Sequence, residues 1–309
     1  YMAYDIGQGD AIFCPDITFI ASVEPALMLG ATPVFCDVRR DTYNLCPEVL
    51  EKQIQNVISK GIHKPRAVVA VDILGNPADY YEIKQVCDKY DLLLIEDAAQ
   101  SFGAVYNGKK CCSFGDIATT SFFPAKPLGC YGDGGAIFTN DDKIADVIKS
   151  IRVHGKGASK YENIRVGVNS RLDTIQAAIL KVKLKALVDF ETEARQKVAN
   201  KYNEAFKNHF VTPFVEENSM SIYAQYALLA ENKVQREKII KHLSEKSIPN
   251  MVYYPLPQHV LEVFEGNIYS DADFTNSLSY CDRTFSLPMH PYMSDEEQDL
   301  VIKTVLEAI

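Results

Sequence analysis

Nowhere does this chain approach the roughly 18 to 20 uninterrupted apolar residues needed to cross a bilayer, and no charged start followed by an apolar run marks a secretory leader. A cytoplasmic protein with no membrane partner is the expectation. A basic excess is equally absent, since 32 Lys and Arg stand against 41 Asp and Glu, for a formal net charge of -9. That balance argues against a nucleic-acid partner or an anionic-lipid surface, and any anionic substrate must be met by local cations. The eight cysteines include no Cys-x-x-Cys pair, and the adjacent Cys111 and Cys112 lack a zinc-site spacing. No metal site is expected, and the cysteines read as reduced small residues, mostly buried. Low-complexity tracts and internal repeats are missing as well.

What is present suits one large domain plus a smaller one, with ample apolar sequence for a core. Short apolar runs over 11–14, 32–37, 67–71 and 92–95 alternate with helical patterns over 20–29, 47–60 and 80–90. Such a series predicts an α/β fold, a parallel sheet wrapped by helices, with ligands gathered at the carboxyl ends of the strands. Ahead of it, YMAYDIGQGDAIF reads as a last helical turn, a glycine break and a strand. Beyond it, a helix is expected over 141–153, then the Gly-rich, partly basic loop HGKGASKYENIRVGVNSR. Long helical sequence follows over 172–206, with apolar positions at Ile175, Ala178, Ile179, Val182 and Leu184. The large domain is placed at 1–190 and a smaller α+β domain at 191–309, with strand 222–230 and helices over 234–246 and from Asp295 to the end.

The chain is organised around LLLIEDAAQSFGAVYNGKKCCSFGDIATTSFFPAKPLGCYGDGGAIFTND, which begins at Leu92. Asp97 lies just past an apolar strand, where it could serve a ligand or cap the next helix. A second strand, 117–122, leads to Lys126, held between Pro124 and Pro127. Such a lysine could be an ordinary exposed one, but the two prolines restrict the backbone on both sides and so direct the side chain. An acid at a strand end and a braced lysine together fit pyridoxal phosphate chemistry. The carboxylate keeps a pyridine nitrogen protonated, and the amine forms a Schiff base and later moves a proton. Gly129, Gly132, Gly134 and Gly135 lack the G-x-G-x-x-G spacing and precede a strand, which excludes a dinucleotide loop.

The segments EDAAQSFGA, TSFFPAKPLGCYGDGGAIFTND and RVGVNSRLDTIQAAIL resemble, in order and spacing, the DegT-type sugar aminotransferases, and weaker similarity runs from Gln8 to about Tyr292. The resemblance implies the fold-type I architecture of pyridoxal phosphate enzymes, a mostly parallel sheet with helices on both faces and a small C-terminal domain. It also implies a homodimer with active sites at the interface, and a Gly-Thr turn ahead of Tyr1 that helps hold the cofactor phosphate. By the same likeness Lys126 carries the Schiff base, Asp97 meets the pyridine nitrogen, Gln100 lies near the ring hydroxyl, and Ser121 meets the phosphate. Phe19 would stack on the ring by this likeness, whereas the sequence alone favours a core phenylalanine beside a helix start.

Asn169 is expected to touch the partner's phosphate, and Arg171 to pair with a uronate carboxylate through a fork of two hydrogen bonds or else to make a structural ion pair. Tyr253 and Tyr254 occupy the place of the family's His-Tyr-Pro at the substrate mouth, so the first of them departs from the pattern. His290 faces the same cleft or is packed structurally. SFFPAKPLGCYGDGGAIFTND and SLPMHPY are most similar to family enzymes that aminate UDP-2-acetamido-2-deoxy-3-oxo-glucuronate, on the way to diacetamido uronic acids of bacterial surface glycans, with glutamate as donor. The alternatives are a UDP- or dTDP-linked 4-keto or 3-keto 6-deoxy sugar as acceptor, or a non-catalytic regulator retaining the fold. A dehydratase relative would carry histidine in place of Lys126.

Overall fold

Strands covered on both faces must be apolar throughout, because successive side chains point to opposite sides. β1 (Asp10–Pro15), β2 (Thr32–Cys36), β3 (Lys64–Val71) and β4 (Leu93–Asp97) largely obey that rule. In the computed structural model, which describes residues 1–264 and 269–309, they pair in parallel with one another. After a small hairpin of β5 (Val105–Tyr106) and β6 (Lys109–Lys110), β7 (Ile117–Ser121) adds in parallel and β8 (Gly135–Phe138) closes the edge antiparallel. The sheet order is β2-β1-β3-β4-β7-β8.

Alternation sorts the strands' side chains into two cores. Ala11, Phe13, Val68, Ala70 and Leu94 pack on one face against α2 (Pro47–Lys60) and α3 (Tyr80–Lys89), through Leu50, Ile54, Ile83 and Cys87. Ile12, Cys14, Val69, Val71 and Ile117 pack on the other against Val23, Ala26, Phe264 and Phe274. Ile144 and Ile148 of α4 (Asp142–Ile151) join that second face. Helix ends follow local chemistry: α2 starts at a proline and ends at Gly61 in the left-handed region, and the Asp79 and Asp141 side chains cap α3 and α4.

The single helix expected over 20–29 is two pieces, a 3-10 turn at Ile20–Ser22 and a short α1 (Glu24–Met28). Pro25 sits in the first turn of α1, where its missing N–H costs nothing; a helix running through from Ile20 would have needed that donor. Asp97 is the last residue of β4 rather than the one beyond it.

α5 (Thr174–Ala186) passes through a widened π turn at Leu187–Glu191 into α6 (Thr192–Phe206). Its apolar stripe does not face the chain's own core: Ile175 is 74% and Val182 72% exposed, and Leu180 and Leu187 are the residues buried instead. Periodicity finds an apolar face without saying what covers it. A further core, with Tyr202, Phe206, Tyr226, Ile239, Phe285 and Val305, joins α6 to β9 (Tyr226–Leu229), α7 (Lys233–Glu245), β10 (Thr284–Leu287) and α9 (Asp295–Glu307). β9 and β10 pair antiparallel, and α8 (Thr275–Arg283) leads into β10.

Six cysteines are buried free thiols, while Cys46 and Cys112 are half-buried. Among the described residues no helix is long and apolar enough to cross a membrane.

Candidate active site

From β1 the chain goes to β2 on one side and then to β3 on the other, so the carboxyl ends of β1 and β3 part at a topological switch point. The segments leaving β1, β3, β4 and β7 surround a cavity of about 190 Å³ there. Phe19, Asp97, Gln100, Ser121 and Lys126 line it, with Val71 of β3 and Ala99. Phe19 is 57% exposed, an aromatic face open to cover by a flat ring.

Each side chain is set by its neighbours. Asp97 accepts from Ser22 Oγ at 2.7 Å on Oδ2 and from the Ala99 N–H at 3.2 Å on Oδ1. Ser121 Oγ accepts from the Phe123 N–H at 3.2 Å, which leaves its own proton free to donate. Burial lowers the Lys126 ammonium, and the charge of Asp97 offsets this in part, so the structure brings that acid and that amine within electrostatic reach. An acid, a half-buried amine, a free hydroxyl and an open aromatic face around one cavity fit pyridoxal phosphate.

Gln100 is committed to the protein more than the sequence suggests. Its Oε1 accepts from the Leu74 N–H at 2.6 Å and its Nε2 donates to the Tyr254 hydroxyl at 3.1 Å. Tyr254 is thereby drawn to the site, its ring 6.3 Å from that of Phe19, and burial pushes its hydroxyl up to about 12. Tyr253 contributes its carbonyl to the Tyr280 hydroxyl at 2.7 Å, a packing role. His290 is exposed, lies outside the cavity lining, and its carbonyl accepts from the Met293 N–H. The structure therefore gives His290 neither the cleft position nor the packed role expected of it.

Asn169 and Arg171 are exposed and lie not here but along a larger cavity of about 960 Å³ beside β8 and α4, with Thr119 and Thr120 shared between the two. Arg171 Nε donates to Asn169 Oδ1 at 2.8 Å, and among the described residues Arg171 makes no ion pair. The smaller cavity is the one that holds the acid and the perturbed amine together.

Sequence reasoning missed the partners that hold the loop after β1. The buried His259 Nδ1 donates to Asp16 Oδ2 at 2.7 Å, the His259 backbone N–H donates to Asp16 Oδ1 at 2.9 Å, and the ring stacks on Phe274 at 4.1 Å. Neither Asp16–His259 nor Ser22–Asp97 leaves a local trace, since the pairs are 243 and 75 positions apart. Burial works against the charged His259 ring, but the hydrogen bonds and charges of Asp16 and then of Asp271, whose Oδ1 lies 3.4 Å from Nε2, outweigh it and raise its pKa above 6.5. Burial raises the Asp16 carboxyl as well, offset only in part by His259.

Both folded values are raised, so the native state binds protons more tightly than the unfolded chain. The His259 contribution is fully present below pH 6.5 and is lost as pH rises through the folded value. The stabilisation of the wild type over His259→Asn, read from their melting temperatures, is therefore expected to shrink as pH increases above 6.5. A difference between the two profiles that stays constant or grows there contradicts the pairing.

The sequence profile of the DegT/DnrJ/EryC1/StrS aminotransferase family matches residues 1–306. The UDP-2-acetamido-2-deoxy-3-oxo-D-glucuronate aminotransferase of Pseudomonas aeruginosa is 44% identical over 297 residues, 94% of this chain and 77% of the relative. A protein of Geobacillus stearothermophilus named pleiotropic regulatory protein is 38% identical over 309 residues, 99% of this chain and 80% of its own length. The crystal structure of a DegT DnrJ EryC1 StrS aminotransferase from Brucella abortus superposes with a TM-score of 0.95 at 43% identity, covering 99% of this chain and 81% of that one.

Proposed function

Since this chain belongs to the DegT/DnrJ/EryC1/StrS aminotransferase family and is a pyridoxal-phosphate-dependent transaminase, we propose that it moves the amino group of L-glutamate to UDP-2-acetamido-2-deoxy-3-oxo-D-glucuronate. The carrying observation for the catalytic reading is Asp97 and Lys126 on one cavity at the carboxyl ends of the strands. The acceptor is supported by the 44% identity to the Pseudomonas aeruginosa enzyme of that name. Products of this kind would feed bacterial surface polysaccharides, with the enzyme acting in the cytoplasm.

Bound pyridoxal phosphate supplies an aldehyde that condenses with amines and a ring that accepts an electron pair. Burial lowers the Lys126 ammonium and so eases loss of its proton; its Nζ would then be the group that attacks the aldehyde and takes the proton from the donor Cα. The Asp97 carboxylate would hold the proton at the ring nitrogen, and the Ser121 hydroxyl, whose oxygen accepts from the Phe123 N–H, would donate to the phosphate. Phe19 would cover one ring face and lies with its ring 6.3 Å from that of Tyr254 beside the same cavity.

The exposed stripe of Ile175, Val182 and Val188 and the exposed loop carrying Asn169 and Arg171 support a homodimer whose partner completes the acceptor side. Arg171, with its guanidinium outside any ion pair among the described residues, is the proposed cation for the uronate.

Holoenzyme incubated with glutamate and a panel of UDP- and dTDP-linked 3-keto and 4-keto sugars, read by mass, tests the acceptor. Amination of the 3-keto uronate is expected; amination of a 4-keto sugar alone overturns the narrow assignment and leaves the class standing. Failure of the glutamate half-reaction itself would favour the regulator reading, for which the Geobacillus relative's name is the motive.

A further inference from the structure

The turn that presents Phe19 also carries a hydroxyl pair, and we infer that Ser22, backed by Thr18, is a positioning residue for the Asp97 carboxylate. This rests on the proposed role of Asp97 at the cofactor's ring nitrogen. Ser22 Oγ donates to Asp97 Oδ2 at 2.7 Å and lies 2.7 Å from Thr18 Oγ1. Two hydroxyl protons here face four acceptors: Asp97 Oδ2, Ser22 Oγ, Thr18 Oγ1 and the Phe19 carbonyl, which Thr18 reaches at 3.3 Å. A carboxylate can only accept, and bonds to a charged acceptor are the stronger ones. Ser22 therefore gives its proton to Asp97, and Thr18 gives its proton to Ser22. Both residues are buried, so water competes little for either bond.

The relay fixes an angle that nothing else in the residue fixes. The outer torsion of an aspartate is broad, without sharp staggered wells. A donor on each oxygen, Ser22 on Oδ2 and the Ala99 N–H on Oδ1, sets the plane of the Asp97 carboxylate and leaves its other lone pairs for the cavity.

The turn itself is pinned from three directions. The Ser22 N–H closes onto the Phe19 carbonyl at 3.1 Å, Gln258 Nε2 donates to the Thr18 carbonyl at 2.7 Å, and the Tyr1 hydroxyl donates to the Ser22 carbonyl at 2.6 Å. One rigid turn thus places both the aromatic that covers a ring face and the hydroxyl that aims the acid at the ring edge.

Holoenzyme loaded with pyridoxal phosphate labelled with nitrogen-15 in the ring gives a readout apart from activity, the ring nitrogen resonance, alongside the glutamate half-reaction. Ser22→Ala is expected to move the resonance toward the unprotonated position and to slow the half-reaction at saturating glutamate about tenfold, with donor KM within about twofold. Thr18→Val should act in the same direction by about threefold, and Ser22→Thr should restore both readouts. Wild-type resonance and rate in Ser22→Ala and Thr18→Val overturn the inference, as does a loss confined to KM; should Ser22→Ala not fold, Thr18→Val decides. Asp97→Asn separates the two levels. If it too leaves both readouts unchanged, the assignment of Asp97 falls; if it alone changes them, that assignment stands and the relay falls.

Discussion

Lys126→Ala is expected to lower transamination by at least about 10³-fold while leaving the protein folded, because it removes both the attacking amine and the proton carrier. The structure sharpens this expectation. Burial lowers the Lys126 ammonium, so a charged amine there works against the fold, and its removal relieves a cost instead of creating one. No salt bridge is lost among the described residues, since Lys126 makes none. The variant should bind the cofactor without the visible absorption of the lysine imine, and a small primary amine such as methylamine should restore part of the rate. Stopped-flow absorbance with glutamate checks it. Near wild-type turnover in Lys126→Ala contradicts the assignment outright.

Asp97→Asn is expected to slow the glutamate half-reaction by about 10³-fold, the scale of losing a preorganised charge at a developing one. An amide cannot carry the negative charge that holds a proton at the ring nitrogen. It also presents NH₂ to partners that are themselves donors, since Ser22 Oγ and the Ala99 N–H both give protons to this side chain. One of those bonds must break or reverse whichever way the amide is turned. Single-turnover kinetics at saturating donor measure the effect, and a loss smaller than about tenfold would place the electron sink elsewhere.

Much of this was legible because the signals were local. Pro47 and Gly61 bracket α2, and an apolar run bounded by an acid delivers Asp97 to the sheet's carboxyl edge. Two prolines mark Lys126 as a directed side chain. The α/β class and the family reading likewise followed from strand-helix alternation and from three segments in order, and the fold and the comparisons agree with both.

What stayed hidden depends on which strands become neighbours. Ser22 reaches Asp97 only because β1 lies two places from β4 in the sheet, and His259 reaches Asp16 from the far end of the chain. The apolar positions from Ile175 to Leu184 showed a helix face but not its covering, and four of them, Ile175, Ala178, Val182 and Leu184, are exposed. His290 follows β10, whose place is set by the C-terminal core and not by the cleft, so the histidine ends in solvent. Pro25 split the expected first helix, a local signal whose consequence depended on where the turn at Ile20–Ser22 was needed.

The most direct measurement is borohydride reduction of the holoenzyme followed by peptide mass mapping, which fixes the cofactor covalently to whichever amine holds it. The pyridoxyl mass is predicted on the peptide containing Lys126, and to be absent from that peptide when glutamate is added before reduction. Label on a different lysine, with Lys126 unmodified, would contradict the account at its centre.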